Sequence, residues 1–192
     1  MPIMILGLAL WWATQLFKIK RPEARAALDR RIGKGAARGL MTVLTLAAVA
    51  LMVIGYQRAD FVNLWYPPAF MVHINNLLML LAVFFFIAGG IPSPVRTRIR
   101  HPQLIGTKTW AVAHLLVNGD LASVVLFGGI LAWAVVAMVG INRRDGAEWE
   151  RPPVRSAARG WTLHVIGTLV VFGVIAVLHF YAGVSPFPGA AA

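Results

Sequence analysis

The chain is 192 residues long, 59% apolar and 13% charged, with a mean hydropathy of +0.73, no cysteine and a formal charge of +11. Soluble domains carry about 45–50% apolar and about 25% charged residues, so the excess here must face something other than water. Without cysteine, disulfides, thiolate nucleophiles and cysteine-held zinc, haem or iron–sulfur groups are excluded, and any metal must rest on histidine, carboxylates or carbonyls.

Apolar runs recur at 3–17, 39–56, 69–91, 103–118, 121–141 and 161–184. A helix needs about 17–25 such residues to cross the hydrocarbon core. Four runs meet that length. The first and fourth are short, and interfacial residues must extend them. The expectation is an all-α, polytopic membrane helix bundle of about six spans, forming a single domain over 1–192 in contact with the lipid bilayer. No positive charge precedes the first run and several follow it, the reverse of a signal peptide, so it reads as a retained span. The next stretch, Lys18 to Arg38, holds eight Lys and Arg and includes a candidate interfacial helix around Glu23 to Arg31. Arg96, Arg98 and Arg100 join the third run to the fourth, and five more basic residues lie between Asn142 and Gly160. Together these loops hold 16 of the 18 basic residues. They fall on one side of a six-span topology, which places them in the cytoplasm and both termini outside. The basic charge is thus a topology signal. No aromatic residues alternate with it to stack bases, so nucleic acid is not an expected partner. Trp65, Tyr66, Trp149, Trp161 and Tyr181 sit where an interfacial aromatic belt belongs, and the tail Pro186–Ala192 reads as frayed.

All five histidines fall within or at the edge of a run. His73, His114 and His179 form an outer tier, and His101 and His164 an inner one. His164 and His179 lie about 22 Å apart along one helix, so a single metal cannot use both tiers. His73 shares a face with Asn76, and His114 with Asn118, so each amide is placed to orient a ring nitrogen. Asp120 lies at the adjoining turn. The plain alternative is that these polar groups hydrogen-bond between helices and hold the bundle together. Zinc hydrolysis lacks its HExxH or paired carboxylates, and none of Ser93, Ser123, Ser156 and Ser185 lies in a GxSxG setting. Haem needs only one or two imidazoles and an apolar slot, which makes haem b the economical cofactor. Gly89-Gly90 and Gly128-Gly129 read as close-packing or flexible points.

Two segments carry a resemblance. Arg100-His101-Pro102-Gln103 and Trp110-Ala111-Val112-Ala113-His114-Leu115-Leu116-Val117-Asn118-Gly119-Asp120-Leu121-Ala122-Ser123 resemble the signature of the NnrU family, supported by Trp65-Tyr66-Pro67-Pro68 ahead of a histidine-bearing span. The resemblance implies a multi-pass protein of the bacterial inner membrane, associated with nitrite and nitric-oxide reduction (denitrification). The related 15-cis-zeta-carotene isomerase uses histidine-ligated haem b to isomerise a polyene. By motif, His114 is the leading haem ligand. His73, His101 and His179 are further matching histidines, either His73 or His179 would supply a second metal ligand beside His114, and Asn76, Asn118 and Arg100 lie about the site. One departure is Gln15, where the family's first span commonly carries histidine. The implied function is redox or isomerase chemistry on haem. A second reading is a non-catalytic accessory protein that assists a membrane oxidoreductase partner. A third is a small membrane methyltransferase, since Arg100-His101-Pro102-x-x-x-Gly106 is similar to a cofactor motif of isoprenylcysteine-type enzymes. It ranks last, because Leu104 stands where those enzymes have tyrosine and no acidic pair follows.

Overall fold

The computed structural model describes residues 1–147, 149, 151–154, 156–184 and 186–187. Of the tail expected to fray, only Pro186 and Phe187 lie among them, and Ser185 also falls outside. The elements are α1 (Pro2–Lys20), α2 (Pro22–Ile32), α3 (Lys34–Gln57), α4 (Met71–Ala88), α5 (Pro102–Val117), α6 (Leu121–Asp145) and α7 (Ala157–Tyr181). The architecture is an all-helical, polytopic membrane bundle. Five helices, α1, α3, α4, α6 and α7, are long and apolar enough to cross a membrane. The fourth expected span forms a helix at its expected place. With 16 residues, about 24 Å, α5 is shorter than the other five. Pro102 starts it, and the Asn118-Gly119-Asp120 turn stops it one residue before α6 is capped.

Local chemistry sets the boundaries. Prolines open α1, α2 and α5, where a missing N–H costs nothing. Arg21, before Pro22, is pushed out of the helical region to φ −133°, which ends α1. The polar α2 buries no residue and carries an Arg25–Asp29 pair one turn apart, as expected of a helix lying at an interface. Asp120 and Ser156 cap α6 and α7 by accepting the N–H groups of Ser123 and Arg159.

The chain divides into two compact units, one made of Met1–Leu64 and Asp120–Gly146, the other of Trp65–Gly119 and Ala147–Ala192. In the first unit, α3 runs antiparallel to α1 and α6 runs parallel to it. Gly7 lies against Ala48 and Met52, and Gly55 against Met4, so the α1 and α3 backbones meet almost directly. On the opposite flank of α1, Gly129 faces Leu8 and its carbonyl accepts the Trp12 indole N–H at 3.1 Å. Both of these contacts bear out Gly129 as a close-packing point, whereas Gly128 meets nothing within 4 Å. Arg144 donates to the Lys18 carbonyl at 3.4 Å, which brings the basic ends of α1 and α6 together. At the other end, Asn63 bridges Asp120, and Leu121 N–H donates to the Val62 carbonyl.

In the second unit, α4 is antiparallel to both α5 and α7. Gly89 meets the Gln103 side chain and Gly106 meets Ala82 and Phe86. Trp65 N–H donates to the Gly119 carbonyl at 3.1 Å. Gly160 abuts Pro92 and Pro94, so the start of α7 shares an end with the α4–α5 connection and its three arginines. In each unit, basic ends meet basic ends. Wide apolar faces remain uncovered, with Leu46 63% and Leu77 68% exposed, a surface suited to hydrocarbon rather than water.

The first unit holds one buried carboxylate. Asp120 accepts from Ser123 N–H at 2.9 Å and Ser123 Oγ at 2.6 Å, while Tyr56 OH lies 2.8 Å from Ser123 Oγ. Because the carboxylate can only accept, Ser123 donates to it and receives the Tyr56 hydroxyl hydrogen. Tyr56→Phe removes only the outermost bond and leaves Ser123 satisfied. We expect a loss of about 0.6–1.7 kcal/mol in unfolding titrations, against a larger loss for Asp120→Ala, which uncaps α6 as well.

Candidate functional site

All five histidines belong to the second unit. His114 lies near the end of α5 and is half-buried. Its Nδ1 is 2.9 Å from the Trp110 carbonyl, and the Trp110 ring packs at 4.9 Å. His179 lies in the last turn of α7 with Nδ1 2.8 Å from the Ile175 carbonyl. A carbonyl can only accept, so both Nδ1 atoms carry the proton, and in the neutral ring Nε2 bears the lone pair. Both α5 and α7 run antiparallel to α4, and each of these histidines lies near the end of its helix. Two imidazoles of matched tautomer therefore stand at the same end of one helix group.

The amides act differently from the sequence expectation. Asn118 Nδ2 donates to the His114 backbone carbonyl at 2.8 Å, closing the end of α5 rather than orienting the ring. Asn76 Nδ2 donates to the Pro186 carbonyl at 2.8 Å. The groups that orient the rings are backbone carbonyls one turn back, always available to a helical histidine and invisible to a search for polar side chains. Sequence reasoning also passed over Asn75, whose Nδ2 donates to Asn76 Oδ1 at 3.2 Å and whose Oδ1 is buried without a partner. His73 is exposed in the first turn of α4. Arg100 and His101 precede α5 at its other end, and His101 lies about 20 Å from His114 along the helix. Among the described residues, no three His, Cys, Asp or Glu side chains gather as a metal shell. Gln15 belongs to the first unit, where its Nε2 donates to Thr45 Oγ1 at 3.0 Å and ties α1 to α3.

His164, of the inner tier, is fully buried. Its Nδ1 lies 2.6 Å from Ser93 Oγ, and its ring is 4.2 Å from Phe84 and 5.9 Å from Trp161. Ser93 also accepts Val95 N–H and so caps the short 3₁₀ turn Pro94–Thr97. This histidine pins the α4–α5 connection to α7. Beside it, α4 and α7 enclose a groove of about 300 Å³ lined by Leu77, Leu81, Phe84, Val165 and Leu169 among others. Thr168 also lines it, but its hydroxyl is committed to the His164 carbonyl at 2.7 Å, so the groove offers hydrocarbon only.

The family model described as NnrU protein matches residues 3–186. The chain belongs to the NnrU family. No curated protein and no solved structure matches it. The match runs through both units of this NnrU protein, so the family pattern extends beyond the histidine-bearing helices to α1, α3 and α6.

Proposed function

We propose that this NnrU protein binds haem b at the outer end of its second unit, where His114 and His179 would hold it, and works in redox or isomerase chemistry of the bacterial inner membrane. The observation that carries the reading is the matched pair of tautomers. Each imidazole has its Nδ1–H held by a carbonyl one turn back, which fixes the ring and its tautomer and makes Nε2 the nitrogen that would ligate. Haem accepts such nitrogens on one or both faces, and supplies electron transfer, exchange of an axial ligand, or binding of a small gas such as nitric oxide. His114 and His179 would hold the group, and Trp110 would keep the His114 ring in place. The groove between α4 and α7 suits a hydrocarbon chain, which favours an apolar substrate such as a polyene over a polar one.

A visible spectrum of detergent-purified protein, expressed with haem supplied and recorded before and after dithionite, tests this directly. We expect a Soret band that sharpens and shifts on reduction. His114→Ala should abolish it and exposed His73→Ala should leave it. A colourless wild type, or a band indifferent to His114, sinks the reading. The accessory alternative has its support in α7, of whose most apolar window only 11% is buried, a face that a membrane oxidoreductase subunit could cover.

A further inference from the structure

We propose that the polar end of the first unit, built around α2, is a binding surface for the phosphate headgroups of anionic phospholipids in the leaflet it meets. The inference concerns the unit without histidines and does not depend on haem. From Lys18 to Arg38 the chain carries eight Lys and Arg, with Glu23 and Asp29 as its only carboxylates. Asp29 is taken by Arg25, and on α6 Asp145 is taken by Arg144. Among the described residues, no carboxylate lies within ion-pair reach of Lys20, Arg21, Arg30, Arg31, Lys34 or Arg38, and all six residues are exposed. The end of α6 adds to this surface. Gly140 lies against Ile19 and Arg144 donates to the Lys18 carbonyl, which brings exposed Arg143 to the end of α1.

Connectivity holds this charge at the depth of lipid phosphates. Single residues, Arg21 and Gly33, join α2 to α1 and α3, both long and apolar enough to cross a membrane, so α2 cannot leave the bilayer surface. Its half-buried residues, Arg25, Leu28 and Asp29, share one side, and α2 packs on α1 and α3, which leaves Arg30 and Arg31 on the exposed side. The cations also crowd one another. Lys34 and Arg38 stand one turn apart on α3, and like charges at that spacing repel until an anion lies between them. Clusters of about four to eight Lys and Arg beside a spanning helix or on an interfacial one attract anionic lipid in this way. The choice of lipid over other anions follows from what the surface lacks. No aromatic residue lies between Phe17 and Tyr56, so it offers neither a platform for stacked bases nor an aromatic anchor for a protein partner.

Amide hydrogen exchange of the full chain in nanodiscs tests this, with bilayers of phosphatidylcholine alone or mixed with phosphatidylglycerol. Phosphatidylglycerol should slow exchange in α2 roughly fivefold, the gain of one cation held at an anionic surface, and leave the centre of α3 unchanged. Arg30→Gln/Lys34→Gln, at two exposed positions, should lose that difference, and the charge-conserving Arg30→Lys/Lys34→Arg should keep it. Equal exchange of α2 in the two bilayers overturns the proposal, as does a difference that survives undiminished in the glutamine variant. A slowing shared by the centre of α3 overturns it too, since it would be a general effect of the bilayer. Inorganic phosphate that protects α2 equally in phosphatidylcholine alone would assign the surface to a free anion and overturn the lipid.

Discussion

Gly55→Leu is expected to separate α1 from α3 and leave the first unit unable to assemble. A Cβ at position 55 would stand 2.2 Å from Met4 N and 2.6 Å from Met4 Cα. Non-bonded heavy atoms settle at about 3.5–4.0 Å, and the obstacle here is backbone, which has no rotamer to swing aside. Overpacking of a core costs typically about 1–3 kcal/mol when side chains can give. Here the whole helix must retreat, so the loss should exceed that range. Gly7 reports the same closeness from the other helix, with Met52 N at 2.7 Å and Ala48 O at 2.8 Å of its would-be Cβ. Gly39→Ala, in the same α3 but with nothing within 4 Å, is the control and should be neutral or slightly stabilising. Unfolding of the two variants in mixed micelles decides the matter, and equal stabilities would show that the close approach is not a determinant of folding.

His164→Ala should be the most damaging single change in the second unit while leaving any pigment spectrum alone. It empties the space of an imidazole packed on Phe84 and Trp161, and it strips Ser93 Oγ of one partner inside a region where water does not reach. Large-to-small changes of this kind cost about 3–5 kcal/mol for an aromatic side chain, and an orphaned buried polar group about 1–3 kcal/mol, so a total of about 4–8 kcal/mol is expected. Half-buried His114→Ala should cost about 1 kcal/mol at most, and its effect should fall on the spectrum instead. The two tiers thus separate by phenotype: stability for the inner, colour for the outer. A His164→Ala protein as stable as wild type would remove the inner tier's structural role.

The long apolar helices and the polar α2 could be read from the chain because hydropathy, proline and charge act locally. Pro22 and Gly33 bound α2 wherever the rest of the protein lies, and the basic clusters mark helix ends that the structure brings together within each unit. The site was legible only as a set of depths. Spacing put His114 and Asn118 on one face, yet the amide is consumed by the end of its own helix and the ring takes a carbonyl instead. Asn76 finds its partner 110 residues away, and Ser93 finds His164 71 residues away, contacts that no local rule encodes. The same limit explains why Asn75 escaped notice: its orientation depends on Asn76, and through it on the residues beyond α7.

Neither compact unit is a continuous stretch of chain. As the polypeptide leaves the ribosome, α1 and α3 can pair early, but the flank of α1 that receives Gly129 stays open until α4 and α5 have been made and α6 has followed. The second unit then waits for α7. Synthesis interrupted after α5 therefore leaves two incomplete units rather than one finished and one missing. A gene cut at any single point from α4 to α6 leaves neither fragment with a whole unit.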